Sequence, residues 1–227
     1  MRICLPLIAR LAASLCLLCL LPAARPQLAG SGLIVTYVDA PPANGVALAA
    51  GLGAYAVQIE NGPGKPRATV LKELGRPNRM VVIEQWPDMS APDFAQAEAV
   101  LAAKVQPDAL APMDRHVSHP MTPALHEPPS TAFVVLMHVD IGRDLTATAP
   151  KILQAQRDAV LAAPGALAFE LAVQDQRTNH FAVYQVWKNR ASYENYTATA
   201  PAKEFRRQLA PLLGSPFDDR FYTLAER

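Results

Sequence analysis

Two stretches of this chain repeat each other 101 residues apart. Arg79–Asp88 reads RMVVIEQWPD and His180–Asn189 reads HFAVYQVWKN; their tryptophans, Trp86 and Trp187, are the only two in the 227-residue chain. The same offset relates Val38-Asp39 to Val139-Asp140 and Pro63-Gly64 to Pro164-Gly165. The matches fall where strands begin, turn and stop, which is the mark of a duplicated folding unit rather than of shared composition. Whatever this chain folds into, it has to be built twice.

The first unit is expected over 33–119. Leu33–Asp39 is rich in β-branched residues and reads as a strand, ended by Pro41-Pro42. A helix is expected from Asn44, acting as its cap, to about Asn61, with Val46, Ala49, Leu52, Ala56 and Val57 on one face. Ala68–Leu74 and Arg79–Trp86 read as strands around a turn at Gly75-Arg76-Pro77-Asn78. A helix over about 92–105 and a short strand near Arg115–Ser118 complete the unit. Residues 120–131, with Pro120, Pro123, Pro128 and Pro129, form the linker.

The second unit, 132–225, restarts the series with Phe133–Asp140 as a strand. Thr148 and Pro150 open a helix, then Leu167–Gln174 and His180–Trp187 are strands about a turn at Asp175–Asn179. Asn189–Tyr196 is helical, Thr199 starts another helix bearing Phe205 and Leu209, and Phe221–Leu224 is the last strand. The order β-α-β-β-α-β predicts an α+β, ferredoxin-like antiparallel sheet with helices on one face. Its other face is apolar and needs cover, and two units in one chain can cover each other, sheet to sheet.

The first 24 residues are different. Arg2 and Arg10, an apolar run from Leu11 to Leu21, and small residues at Ala23-Ala24 predict an export signal, cleaved after Ala24 or Ala29. Cys4, Cys16 and Cys19 all lie inside it, so the exported chain, periplasmic or secreted, has no disulfide, no thiolate nucleophile and no thiolate metal site. Once the signal is removed the chain carries 19 basic against 20 acidic residues and no apolar run of membrane-spanning length. Near-neutral charge without basic clusters argues against a nucleic-acid partner.

The second half also resembles the antibiotic biosynthesis monooxygenase family, small ferredoxin-like domains that pair into a dimeric α/β barrel. The resemblance is carried by Tyr184–Tyr193, YQVWKNRASY, and Ala202–Leu212, AKEFRRQLAPL; residues 33–121 look like a degenerate second copy. It implies that the chain folds as that dimer within one polypeptide, and that it oxidises a small aromatic substrate, a quinol or other phenol, with O2 and without cofactor or metal. A deprotonated electron-rich ring can reduce O2 itself, so the protein need only bind, orient and deprotonate it. The sequence departs from the family at one position. Many members carry a histidine nine residues after the strand-end tryptophan; here Tyr196 and Ala95 stand there. Residues 203–213 contain no histidine to ligate haem.

Strand alternation sorts the candidate site residues. Phe181, Val183, Gln185 and Trp187 share one face, as do Met80, Val82, Glu84 and Trp86. A tryptophan beside Gln185 or Glu84 suggests a cavity wall; the other reading is a sheet-to-helix core. His138 is the candidate base, since an ordinary imidazole titrates near pH 6.5. Tyr196 and Glu170 are the supporting polar groups. His116 and His119 lie in an extended segment, whose geometry is wrong for two ligands of one metal. No glycine pattern for phosphate and no Ser-His-Asp order stands out. The leading expectation is therefore a cofactor-independent monooxygenase. The alternative is a non-catalytic protein that binds a small hydrophobic ligand in the barrel cavity. Further homo-oligomerisation is left open.

Overall fold

The structure, a computed structural model, describes residues 30–123 and 127–225. The expected export signal lies outside the described residues.

The duplicated order is present. The first half runs β1 (Gly32–Asp39), α1 (Gly45–Glu60), β2 (Arg67–Glu73), β3 (Arg76–Trp86), α2 (Phe94–Val105) and β4 (Asp114–Pro120). The second runs β5 (Phe133–Asp140), α3 (Ala149–Leu161), β6 (Ala166–Gln174), β7 (Arg177–Trp187), α4 (Arg190–Thr197), α5 (Ala200–Leu209) and β8 (Asp218–Leu224). Each half has the ferredoxin-like strand order, β4-β1-β3-β2 and β8-β5-β7-β6. The edges join, β2 to β8 and β6 to β4, and the eight strands close into one antiparallel barrel. Closure removes every exposed sheet edge.

The central strands β1, β3, β5 and β7 are thereby buried on both faces along most of their length. The outer face of each half packs under its own helices: Ile34, Val82 and Trp86 under α1 and α2, and Val135, Val183 and Trp187 under α3 to α5. The inner faces meet in a third core inside the barrel, formed by Leu33, Val35, Tyr37, Leu136, Tyr184 and Tyr222 among others. Side chains thus fill the middle of the barrel, as they do in other small closed barrels.

Several local expectations are corrected. Asn44 makes no capping bond to α1; its amide donates to Asp108 Oδ1 at 3.0 Å, and a 3-10 turn over Pro42–Asn44 leads into the helix. The buried face of α1 carries Leu48, Leu52, Tyr55, Ala56 and Ile59, while Val46 and Val57 point out, 85% and 50% exposed. Alanine-rich sequence left more than one stripe apolar, and tertiary packing chose between them. A Cβ on Gly51 would lie 2.8 Å from the Lys104 carbonyl oxygen, so the glycine is what lets α1 approach the end of α2. Thr148 likewise makes no capping bond, but Asn189 and Thr199 cap α4 and α5, accepting from Ser192 N at 2.9 Å and Ala202 N at 3.4 Å. The β2–β3 and β6–β7 turns are tighter than expected, two residues each, with Gly75 and Gln176 at φ +84° and +60°.

Candidate functional site

The faces of the strands decide which candidate residues can meet. Trp86, Glu84, Trp187 and Gln185 all lie on the helix-covered face, and both tryptophans are buried in sheet-to-helix core. His138 and Glu170 lie on the barrel-facing side, with Leu136 and Ala172. The candidates therefore do not all meet in one pocket, although Trp86 and Glu170 both line a pocket at one end of the barrel. A single-residue step along a strand is enough to separate them by the thickness of the sheet.

Beneath the helices the two halves present the same positions with different chemistry. In the first half Trp86 Nε1 donates to Glu84 Oε2 at 2.8 Å; in the second Trp187 Nε1 donates to Gln185 Oε1 at 3.1 Å. Glu84 is closed off by Arg115, whose Nη1 and Nη2 donate to its two oxygens at 2.5 and 3.2 Å, with a further bond from Nη1 to Thr36 Oγ1 at 3.1 Å. Arg115 pairs with Thr36 across β4 and β1 as Asp219 pairs with Met137 across β8 and β5, so Asp219 is the counterpart of Arg115. An ion pair fills the first cleft. The second holds uncharged Gln185, whose amide reaches Met137 Sδ at 3.1 Å, and the carboxylate of Asp219.

That second cleft is lined by Met137, Gln156, Gln185, Tyr196, Phe205 and Asp219, with a cavity of about 20 Å³, room for one water-sized molecule. Tyr196 donates to Gln156 Oε1 at 2.9 Å. Asp219 Oδ2 accepts from Tyr193 at 3.3 Å and from Arg206 Nη2 at 3.2 Å, while Oδ1 is buried without a hydrogen-bond partner. Burial raises the pKa of this carboxyl above its ordinary value, and the charge of Arg206 opposes the rise. Sequence reading missed Asp219. Nothing in the sequence marked it: Asp219 lies before the expected last strand, Phe221–Leu224, and off the 101-residue offset from Arg115.

His138 stands at one mouth of the barrel. Its Nε2 bonds the hydroxyl of Tyr37, the residue 101 positions earlier, and its ring lies 5.5 Å from that of His116. His116 is tied to Asp114 at 3.0 Å, and the Arg220 guanidinium lies 5.1 Å over the Tyr37 ring. Burial first, then the neighbouring His116 and Arg220, push the His138 pKa down to about 4. His119 turns elsewhere, to Asp175 at 3.3 Å. Among the described residues no three His, Cys, Asp or Glu side chains are grouped to hold a metal.

Glu170 lies toward the other end of the barrel, opposite Tyr184 across β6 and β7 and bonded by Gln85, which pairs with Leu33 at the start of β1.

Against known proteins, residues 132–208 match the family described as antibiotic biosynthesis monooxygenase. The match lies wholly within the second half. All the lining residues named above except Asp219 fall within the matched span. Among solved structures, a provisionally named monooxygenase of Fusobacterium nucleatum superimposes with a TM-score of 0.73 at 14% identity, covering 87% of this chain and 94% of the other. A second provisionally named monooxygenase, from Lactobacillus acidophilus, gives 0.68 at 11% identity, covering 87% and 95%. An anthrone oxidase-like protein gives 0.64 at 10% identity, covering 87% and 92%. At such identities the likeness is one of fold, and it extends over both halves. No curated protein matches the sequence.

Proposed function

We propose that the second half oxidises a small electron-rich phenol in the cleft between its sheet and helices α3 to α5, using O2 and no cofactor. Asp219 takes the phenolic proton, Gln185 and Gln156 orient the ring oxygens, and Tyr196 and Phe205 form the aromatic wall, with Trp187 packed behind Tyr196. What carries the reading is the orphan Oδ1 of Asp219, a buried acceptor facing a cleft that its twin in the first half has filled with an ion pair. A buried polar atom left without a partner in a cleft is a common mark of a site awaiting its ligand.

The chemistry balances without an external reductant. The phenolate gives one electron to O2, and superoxide then combines with the ring radical to form a C–O bond at the para carbon. Loss of water leaves a carbonyl there. One oxygen atom is retained, the other leaves as water, and all four electrons come from the phenol and its para C–H bond. The protein contributes orientation, exclusion of water and proton transfer. With only about 20 Å³ free, a ring enters only as α5 and Phe217 move aside.

A non-catalytic ligand-binding role is the second reading. It is favoured by Tyr196, which occupies the family's histidine position but spends its hydroxyl on Gln156. Oxygen uptake with a panel of reduced quinols and phenols, without added metal or flavin, separates the two. Uptake above autoxidation that falls at least tenfold in Asp219→Asn and persists in His138→Ala is the expected result. A fall in His138→Ala with Asp219→Asn unaffected would move the base to the barrel mouth. No uptake, with ligand-induced thermal stabilisation retained, would establish the binding role.

A further inference from the structure

Where β5 ends and β7 begins, the second half repeats a frame that the first half also has. In the first half Arg79 Nε pairs with Asp39 Oδ1 at 3.0 Å, and Asn78 Nδ2 donates to the Ala40 carbonyl at 2.6 Å. The residues 101 positions later repeat both contacts. His180 Nε2 lies 3.2 Å from Asp140 Oδ1, and Asn179 Nδ2 donates to the Ile141 carbonyl at 2.9 Å. What surrounds the frame differs. The first half has Pro42, Gly45, Gly75 and Pro77, and a Cβ on Gly45 would lie 3.3 Å from the Pro77 carbonyl oxygen, so the start of α1 sits close upon the turn. The second half has Arg143, Thr146, Gln176 and Thr178 at those places, and all four, with Arg177, line a pocket of about 660 Å³.

This pocket is cationic. Arg143 and Arg177 are exposed, and among the described residues neither guanidinium has an ion-pair or hydrogen-bond partner. Both charges reach the pocket. His180, which also lines it, has its pKa lowered by burial first and then by Arg177, His116 and Arg143, against the opposing charge of Asp140. Asp140 is the one carboxylate in the lining, and it is already held by His180 and by Asn179 Nδ2 at 3.2 Å. Of the carboxylates nearest in sequence to the two arginines, Asp175 is tied to His119 at 3.3 Å, and neither it nor Asp144 lines the pocket. Gln176 holds φ +60° where its counterpart is Gly75, and strained backbone of this kind gathers at ligand sites.

Guanidinium forks match the oxygens of a phosphate in pairs. A phosphomonoester carries close to two negative charges above its second pKa of about 6, which suits two unpaired arginines. We propose that this pocket binds a phosphomonoester group between Arg143 and Arg177, with Thr146 and Thr178 donating to its oxygens. The proposal does not rest on the monooxygenase reading, because the pocket shares no lining residue with the cleft beneath α3 to α5.

Calorimetric titration of the full chain with phenyl phosphate at low salt tests it, with benzoate as the singly charged comparison. Phenyl phosphate is expected to bind at least tenfold more tightly than benzoate. Its affinity is expected to fall at least tenfold in Arg143→Gln/Arg177→Gln and severalfold in Thr178→Val, and to be unchanged in Asp219→Asn. Both arginines are exposed, so the double variant is expected to keep its fold, which thermal unfolding checks. Salt screens exposed charges, so affinity is also expected to drop severalfold between about 20 and about 200 mM NaCl. Vesicles containing phosphatidic acid separate two sources of the group. Competition by them that is lost in the double variant would assign the phosphate to a lipid headgroup, and binding of phenyl phosphate without such competition to a soluble ester. Absence of binding at millimolar phenyl phosphate, equal affinity for benzoate, wild-type affinity in the folded double variant, or loss of binding in Asp219→Asn would overturn the proposal.

Discussion

Single residues decide what each cleft can do. Glu84 is wholly buried and the Arg115 side chain is 9% exposed, so their ion pair stands on desolvated groups that satisfy each other. Glu84→Gln leaves the guanidinium buried without a countercharge and is expected to cost about 3–5 kcal/mol. The double variant Glu84→Leu/Arg115→Met, which removes both charges at similar volume, is expected to recover most of that. Urea unfolding measures both; a double variant no more stable than the single one would show that the pair does more than fill space.

His138 and Glu170 make opposite demands on pH. His138 titrates near 4 in the folded protein against an ordinary 6.5, so its stability is fully present above pH 6.5 and is lost as pH falls toward 4. Glu170 titrates near 7 against 4.5, so its stability is present below pH 4.5 and is lost as pH rises through 7. Each contribution is of the order of 3 kcal/mol. Between about pH 4.5 and 6.5 the two slopes oppose, and His138→Leu should unmask a loss of stability with rising pH, Glu170→Gln a loss with falling pH. Parallel slopes in the two variants would contradict this assignment.

At the scale of elements, the paired β2–β3 and β6–β7 turns offer an internal control. Both place a residue in the left-handed region 101 positions apart, Gly75 in one and Gln176 in the other. Glycine adopts that backbone freely, whereas glutamine is sterically disfavoured there. Gln176→Gly is therefore expected to raise stability by about 0.5–1 kcal/mol, the relief of strain being partly offset by a more flexible unfolded chain. Thermal unfolding checks it, and a destabilised variant would mean that the Gln176 side chain holds the turn. The repeat was legible in the sequence at these turns and at the tryptophan strands. The buried stripe of α1 was not, because a run of alanines and glycines leaves several faces equally apolar and only the neighbouring β2, β3 and α2 select one.

The whole molecule is one closed barrel made from two incomplete ones. Each half alone would expose the edges of β2 and β4, or β6 and β8, and an inner face such as Val134, Leu136, Tyr184, Val186 and Tyr222. Residues 132–225 expressed alone are thus expected to dimerise or aggregate, because an exposed apolar sheet face with open edges seeks a partner. Size-exclusion chromatography with light scattering reads this directly; a soluble, folded monomer would show that closure is dispensable.

Periodicity and stop signals by themselves determined the duplicated β-α-β-β-α-β order, the α+β class, and which side chains share a strand face. They could not say which face looks toward the helices and which into the barrel, since here both are buried and apolarity no longer distinguishes them. That choice placed His138 with Tyr37, Glu170 with Gln85, and Trp187 under the helices. The matching of Asp219 to Arg115, and the contrast between an open and a filled cleft, arose only when β4 and β8 settled beside β1 and β5. Spacing along the chain carries no record of such partners; they become neighbours because closing the barrel satisfies every strand edge at once.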